Sequence, residues 1–277
     1  MPELPEIRVI AAQMDKELSG KKVADAEPRQ PKNLNVPVED FVKAVKGKTV
    51  SHVTSKGKWI FAELEHGYLL LINLGMYGEL LYYAKGQKLP ERYQFRLAFA
   101  DGSGFTIFFS WFGYVHIVTE RDASKHNMTG KLGIDPFNNG FTFGRFDDLL
   151  TSKRRTRLKS FIMDQKNVSG VGNVYAQDIL FGARLHPDRE ISTLTKEERR
   201  GFYDSIKNVL SRSVELGGLA YEKDFYGRNG KFGASEFKVG YKEGKPCPAC
   251  GTTIQKIKTG STSTYICPKC QPLKKIN

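Results

Sequence analysis

The chain has 277 residues, with 43 Lys and Arg against 30 Asp and Glu for a net charge of +13, and it is 40% hydrophobic and 12% aromatic. That length fits one large or two ordinary domains, the apolar share excludes a disordered chain, and a small disulfide-stapled scaffold is ruled out. The positive excess calls for a polyanionic partner.

Residues 4–19 place Ile7, Ile10, Ala11, Met14 and Leu18 at helical spacing, with Gly20 as a stop, which predicts an amphipathic helix starting almost at the first residue. From Lys22 to about Thr119 the texture changes to short runs rich in Val, Ile, Phe and Tyr, among them KWIFAELE, GYLLLINL and YQFRLAFAD, punctuated by turn signals at His66-Gly67 and Asp101-Gly102. A strand-rich sandwich or barrel fits this region. After residue 140 the helical period returns in FGRFDDLLTS, RRTRLKSFIMDQ, NVYAQDILFGARL and a long segment opening at Thr195, an N-cap before Glu197 and Glu198. Glycines scattered from Gly217 to Gly244 predict a mobile loop leading into the cysteine-bearing end. The fold class is therefore α+β, with expected domains at 1–135, 136–240 and 241–277.

The most apolar stretch, Gly67 to Tyr83, is interrupted by Asn73 and Glu79 and is too short to span a bilayer. Glu3, Glu6 and Arg8 stand where a signal peptide needs an apolar run. No membrane partner and a cytoplasmic location are expected. All 4 cysteines lie near the C-terminus as Cys247-Pro-Ala-Cys250 and Cys267-Pro-Lys-Cys270, with sixteen residues between the pairs, the spacing of a four-cysteine zinc site on two knuckles. Four thiolates leave no open coordination position, so the Zn2+ is structural. Lys256, Lys258, Lys269, Lys274 and Lys275 accompany the finger and no acid follows Cys247, a composition suited to phosphate.

The chain begins Met1-Pro2-Glu3-Leu4-Pro5-Glu6. Removal of Met1 before a small residue exposes the Pro2 secondary amine, which titrates about two units below a lysine and serves as a nucleophile. Attack on a sugar C1′ gives an iminium ion that acidifies the C2′ proton, and Glu3 is placed to move protons. The plainer reading is that Pro2 and Pro5 start a helix. Lys58 sits in the turn Ser55-Lys56-Gly57-Lys58-Trp59, facing a groove or simply solvated. Lys153, Arg154, Arg155, Arg157 and Lys159 form a basic cluster at a helix start, equally compatible with phosphate contact and with a solvated face. Gly170-Val171-Gly172-Asn173 offers bare backbone NH groups at a helix N-terminus for a phosphate, or a packing turn. Met76 in Leu74-Gly75-Met76-Tyr77-Gly78, and Trp111-Phe112-Gly113, set large apolar groups beside glycines, as wedges for a base stack or as core.

Taken in this order, the residues resemble the formamidopyrimidine-DNA glycosylase and endonuclease VIII family across nearly the whole chain. The likeness rests on the PELPE start, Gly57-Lys58, Leu74 to Met76, the MDQ to GVGNVYA stretch from Met163 to Ala176, LHPDR from Leu185 to Arg189, and the finger followed by Gln271. It implies an N-terminal β-sandwich, a helix-two-turns-helix domain and a zinc finger, with double-stranded DNA carrying damaged bases or abasic sites in the cleft between, handled by a monomer. It further implies Pro2 as Schiff-base nucleophile, Glu3 as general acid, Glu6 in support and Lys58 on a phosphate assisting elimination. Asn173 would grip the phosphate beside the flipped nucleotide and Met76 would fill the gap, with Trp111 and Phe112 as wedge and Arg154, Arg155, Lys159, Lys256 and Lys258 on phosphates. Three departures stand out: Thr262 where the family's finger hairpin carries arginine, Ser110-Trp111 where its wedge carries arginine before Phe-Gly, and Asn73 where histidine precedes Leu-Gly-Met. The expected function is a bifunctional glycosylase and abasic-site lyase for oxidised bases with impaired δ-elimination; the alternative is a non-catalytic binder of damaged DNA on the same scaffold.

Overall fold

The computed structural model describes residues 1–273, so Lys274 and Lys275 lie outside the described residues. The chain divides into two compact units, one made of residues 1–131 with 216–231, the other of residues 132–215 with 232 onward.

In the first unit, helix α1 (Leu4–Leu18) forms because its apolar residues recur every three or four positions, and Ile7, Ile10, Met14 and Leu18 are all buried. Pro5 sits in the first turn, where no intrahelical NH is lost. Eight strands follow: β1 (Val23–Pro28), β2 (Val50–Lys56), β3 (Trp59–Leu64), β4 (Tyr68–Asn73), β5 (Glu79–Tyr83), β6 (Phe95–Phe99), β7 (Gly104–Phe108) and β8 (Tyr114–Thr119). They make two four-stranded antiparallel sheets, β1-β6-β7-β5 and β2-β3-β4-β8. One apolar core joins Val53, Ile60, Leu70 and Ile72 of one sheet to Phe95, Leu97, Phe105 and Ile107 of the other and to α1, which is a β-sandwich.

Helix α2 (Val38–Val45) interrupts the stretch read as strands throughout. It is only eight residues long and buries just Phe41 and Val45, too short a run to reveal its period. Gly75 turns the chain with φ +61°, and a Cβ there would lie 1.5 Å from the Phe112 carbonyl oxygen. A Gly75→Ala variant is expected to lose about 2–4 kcal/mol of stability, read as a lowered urea midpoint at unchanged slope, because backbone rather than a flexible side chain blocks the methyl.

The second unit contains α3 (Phe143–Ser152), α4 (Leu158–Met163), α5 (Asn173–Gly182), α6 (Lys196–Glu215) and the finger hairpin β9 (Gln255–Thr259) and β10 (Thr262–Ile266). Thr195 and Glu198 close the expected cap on α6, the Glu198 amide donating to Thr195 Oγ1 at 3.2 Å and the Thr195 amide to Glu198 Oε2 at 3.1 Å. Helix α4 is shorter than its sequence period suggests. Residues 154–157 pair their backbone with 189–192 instead, through Ser192 N to Arg154 O and Ile191 N to Thr156 O.

The glycine-rich segment after α6 is pinned rather than free. Leu219 and Phe225 are fully buried, Phe225 in the sandwich core. Asp224 accepts from the amides of Tyr226 and Arg228 and from Gln13 Nε2. Further on, Asp178 of α5 accepts from the amides of Lys238, Val239 and Gly240. Glycine density was a signal of turns here, not of mobility.

Candidate active site and nucleic-acid interface

The start of α1 gathers three buried carboxyl groups, those of Glu3, Glu6 and Glu222. Glu3 is the N-cap of α1 and forms a capping box with Glu6. Glu6 Oε2 accepts from the Glu3 amide at 2.8 Å, while its Oε1 accepts from the Leu219 amide at 3.0 Å. A carboxylate at a helix N-terminus is favoured by the helix dipole, and this one fastens the residue after Pro2 to the 216–231 segment. Gly218 (φ +90°) allows that approach, since a Cβ there would meet Glu6 Cγ at 3.0 Å. Pro2 is itself buried.

Lys58 occupies the two-residue turn of the β2–β3 hairpin, closed by the Lys56–Trp59 pair, with Gly57 at φ +59°. Its side chain is half-buried. Asn73, in the position where the resemblance leads one to expect histidine, donates from Nδ2 to the Lys58 carbonyl at 2.8 Å and accepts at Oδ1 from the Gly75 amide at 3.0 Å. One amide thus ties the Lys58 turn to the turn bearing Met76. The Trp111 amide donates to the Met76 carbonyl at 3.3 Å. Trp111 is 67% exposed, Phe112 49% and Tyr77 62%. These rings are surface groups, not core.

The second unit carries a separate set. Asn173 begins α5 with Gly172 as its N-cap, and its Oδ1 is buried without a hydrogen-bond partner. Gln177 fixes this helix start, donating to the Asn173 carbonyl at 3.0 Å and accepting from the Tyr265 amide at 2.9 Å. Arg154 and Arg155 are exposed in the turn between α3 and α4, and Lys256 and Lys258 are exposed on β9.

Lys159 departs from the expectation of a phosphate-facing lysine. It is 4% exposed, and its ammonium donates to Thr259 Oγ1 at 2.9 Å, Thr262 Oγ1 at 2.7 Å, Thr264 Oγ1 and the Ser263 carbonyl at 3.4 Å. Burial pushes its pKa down to about 8. It lies inside the second unit holding the finger hairpin, and Thr262 is one of its acceptors. The charge pattern of the sequence cannot separate such a lysine from its solvated neighbours.

The four cysteine sulfurs lie within 4.8 Å of one another, with Cys247 to Cys270 at 3.9 Å, Cys250 to Cys267 at 3.4 Å and Cys250 to Cys270 at 3.5 Å. Sulfurs bound at about 2.3 Å around a tetrahedral ion stand about 3.8 Å apart, so the set fits Zn2+. Gln271 locks the second knuckle: its Oε1 accepts from the Cys267 amide at 3.1 Å and its Nε2 donates to the Leu185 carbonyl at 2.9 Å. Among the described residues no helix is long and apolar enough to cross a membrane.

Residues 1–109 match the formamidopyrimidine-DNA glycosylase N-terminal domain, residues 132–224 the formamidopyrimidine-DNA glycosylase H2TH domain, and residues 244–273 a zinc finger found in FPG and IleRS. A formamidopyrimidine-DNA glycosylase from Pelotomaculum thermopropionicum is 34% identical over 99% of this chain and 100% of its own length, and one from Heliobacterium modesticaldum is 32% identical over 98% and 100%. Among solved structures, Lactococcus lactis Fpg in complex with abasic-site DNA superposes with a TM-score of 0.88 at 28% identity, covering 98% of this chain and 99% of that one. MutM in complex with DNA containing carbocyclic 8-oxo-G gives 0.87 at 27%, covering 98% and 100%.

Proposed function

The chain belongs to the formamidopyrimidine-DNA glycosylase family, and from that premise we propose that it couples excision of damaged bases from duplex DNA to strand cleavage at the resulting abasic site, through a covalent iminium on Pro2. The observation that carries this reading is the clamp of Glu6 on the Glu3 and Leu219 amides, which fixes the chain start at a cluster of buried acids.

With Met1 removed, the unprotonated Pro2 nitrogen attacks C1′ and the C1′ to base bond breaks, its electron pair leaving with the base, which takes a proton from Glu3. The nitrogen next passes its remaining proton through Glu3 to O4′, the C1′–O4′ bond breaks as the nitrogen lone pair forms C1′=N⁺, and this ring-opened iminium draws electrons from the C2′–H bond. Loss of that proton expels the 3′ phosphate in β-elimination, and Lys58 neutralises the departing charge. Water then releases Pro2. Asn173 and the α5 N-terminus hold a flanking phosphate, while Met76 with Trp111 and Phe112 fills the space of the extruded nucleotide. Arg154, Arg155, Lys256 and Lys258 supply salt-dependent affinity. The zinc finger keeps the hairpin folded and takes no part in bond making.

Borohydride trapping on duplex DNA with a single abasic site tests the reading: a covalent adduct supports it. Tight binding with no adduct, together with an intact mass that retains Met1, makes the protein a damaged-DNA binder instead. A second outcome concerns Thr262, whose short uncharged hydroxyl replaces a bidentate guanidinium. Wild type is expected to give β products well ahead of δ products. Thr262→Arg should raise the δ-to-β ratio several-fold, while the gain in abasic-duplex binding is offset by the loss of an acceptor of the buried Lys159 and the second cation set beside it. Wild-type δ products appearing as fast as β products would sink this expectation.

A further inference from the structure

Of the three acids at the start of the chain, two are occupied by backbone. Glu6 accepts from two amides, and Glu3 is engaged in the capping box. Glu222 differs. It is 9% exposed, its Oε1 is buried with no hydrogen-bond partner, and the group facing it is the Met1 ammonium at 3.6 Å, an ion pair too long to be a hydrogen bond. A buried carboxylate in this state is costly unless a cation answers it. The chain amine is that cation, and processing moves it one residue along, to Pro2, less than about 4 Å of backbone away.

We propose that Glu222 is the proton acceptor for the Pro2 ammonium, taking the proton that the nitrogen must lose before it can attack C1′. The inference rests on the iminium reading above. The step balances without an outside reagent: the N–H bond of the ammonium breaks, its electron pair stays on nitrogen, and the proton forms the O–H bond of the Glu222 carboxyl. That pair then bonds to C1′. Burial raises the Glu222 pKa, with Glu3 and Glu79 adding to the rise and the chain amine opposing it. Glu79 is itself paired with Lys223 at 2.8 Å, which limits its field at Glu222. A carboxyl whose pKa is raised by burial is a better proton acceptor for an amine than an unshifted glutamate.

In wild type Glu222 offers the amine an internal acceptor, so the nitrogen need not wait on water or buffer to take its proton. Glu222→Gln keeps size and burial but removes the acceptor, so the amine must shed its proton to water. The test is single-turnover borohydride trapping on a preformed abasic duplex from pH 5 to 9, with Met1 removal verified by intact mass. Glu222→Gln is expected to move the acid limb of the profile up by at least one pH unit, lowering the rate at pH 6 by about tenfold or more while leaving pH 9 close to wild type. Glu222→Asp should restore part of the low-pH rate. Superimposable profiles for wild type and Glu222→Gln overturn the proposal. So does a pH-independent loss accompanied by weaker binding to a tetrahydrofuran-containing duplex, which marks a structural role. If wild type itself gives no adduct at any pH, the iminium reading falls and takes this inference with it.

Discussion

Pro2→Gly is expected to lose the borohydride-trapped adduct on abasic DNA, with strand cleavage falling on the order of 10³-fold or more. The secondary amine gives an iminium that carries its positive charge permanently, whereas a primary amine gives an imine that must be protonated before it can draw electrons from C2′–H. Glycine also gives up the ring that fixes the chain's direction ahead of the Glu3 cap and leaves a hole at a buried position. On the proposed roles, the contacts that grip DNA are elsewhere, on Lys58, Trp111 and Phe112 and on the basic residues of the second unit. Affinity for a tetrahydrofuran-containing duplex should therefore stay within about threefold of wild type by this separation of roles. Measuring trapping and anisotropy on the same preparation distinguishes a lost nucleophile from a lost fold. An adduct of wild-type yield in the variant would assign the covalent chemistry to another amine.

Removing the zinc should be the second large effect. Structural zinc contributes about 10–16 kcal/mol to the folding of isolated finger peptides, so the hairpin should not survive its loss. The damage would reach beyond the knuckles. Thr259, Thr262 and Thr264 accept from the buried Lys159, and with the hairpin unfolded its ammonium loses these partners. The Cys267 amide and the Leu185 carbonyl would lose Gln271 at the same time. Chelation, or Cys267→Ser, is expected to weaken abasic-duplex binding by about ten- to hundredfold through loss of the Lys256 and Lys258 surface, which amounts to one or two phosphate contacts at low salt. Zinc release followed by a colorimetric chelator, with anisotropy on the same sample, reads both quantities. Unchanged affinity after stoichiometric release would show that the hairpin does not touch DNA.

What could be read from the sequence was what repeats at short range. The period of Ile7, Ile10, Met14 and Leu18 gave α1, and the two Cys-x-x-Cys pairs gave a site whose sulfurs do converge. The Val-, Ile- and aromatic-rich runs of β3, β4 and β6 between turn signals gave strands, in a sandwich or a barrel, and the family resemblance pointed to the sandwich. Misreadings came where a partner is distant in the chain. Lys159 looks like its exposed neighbours until its threonines, about a hundred residues on, are brought to it. The segment after α6 looks loose because its glycines are visible and the burial of Leu219 and Phe225 is not. Glu222 carries no local signal, since its meaning depends on the first residue of the chain standing 3.6 Å away. Asp178, which accepts three amides of the 238–240 strand of loop, was equally silent for the same reason.

Asn73 has a kinetic corollary. Because a single side-chain amide spans from the Lys58 carbonyl to the Gly75 amide, displacing either the lysine turn or the methionine turn alone costs one of these hydrogen bonds. On the proposed roles, capture of a phosphate and occupation of the vacated stack then happen in one event, with no state in which one hand has closed and the other waits. A stopped-flow record of nucleotide extrusion by this protein would accordingly resolve a single phase for the two, where a scaffold with independently hinged turns would show them in succession.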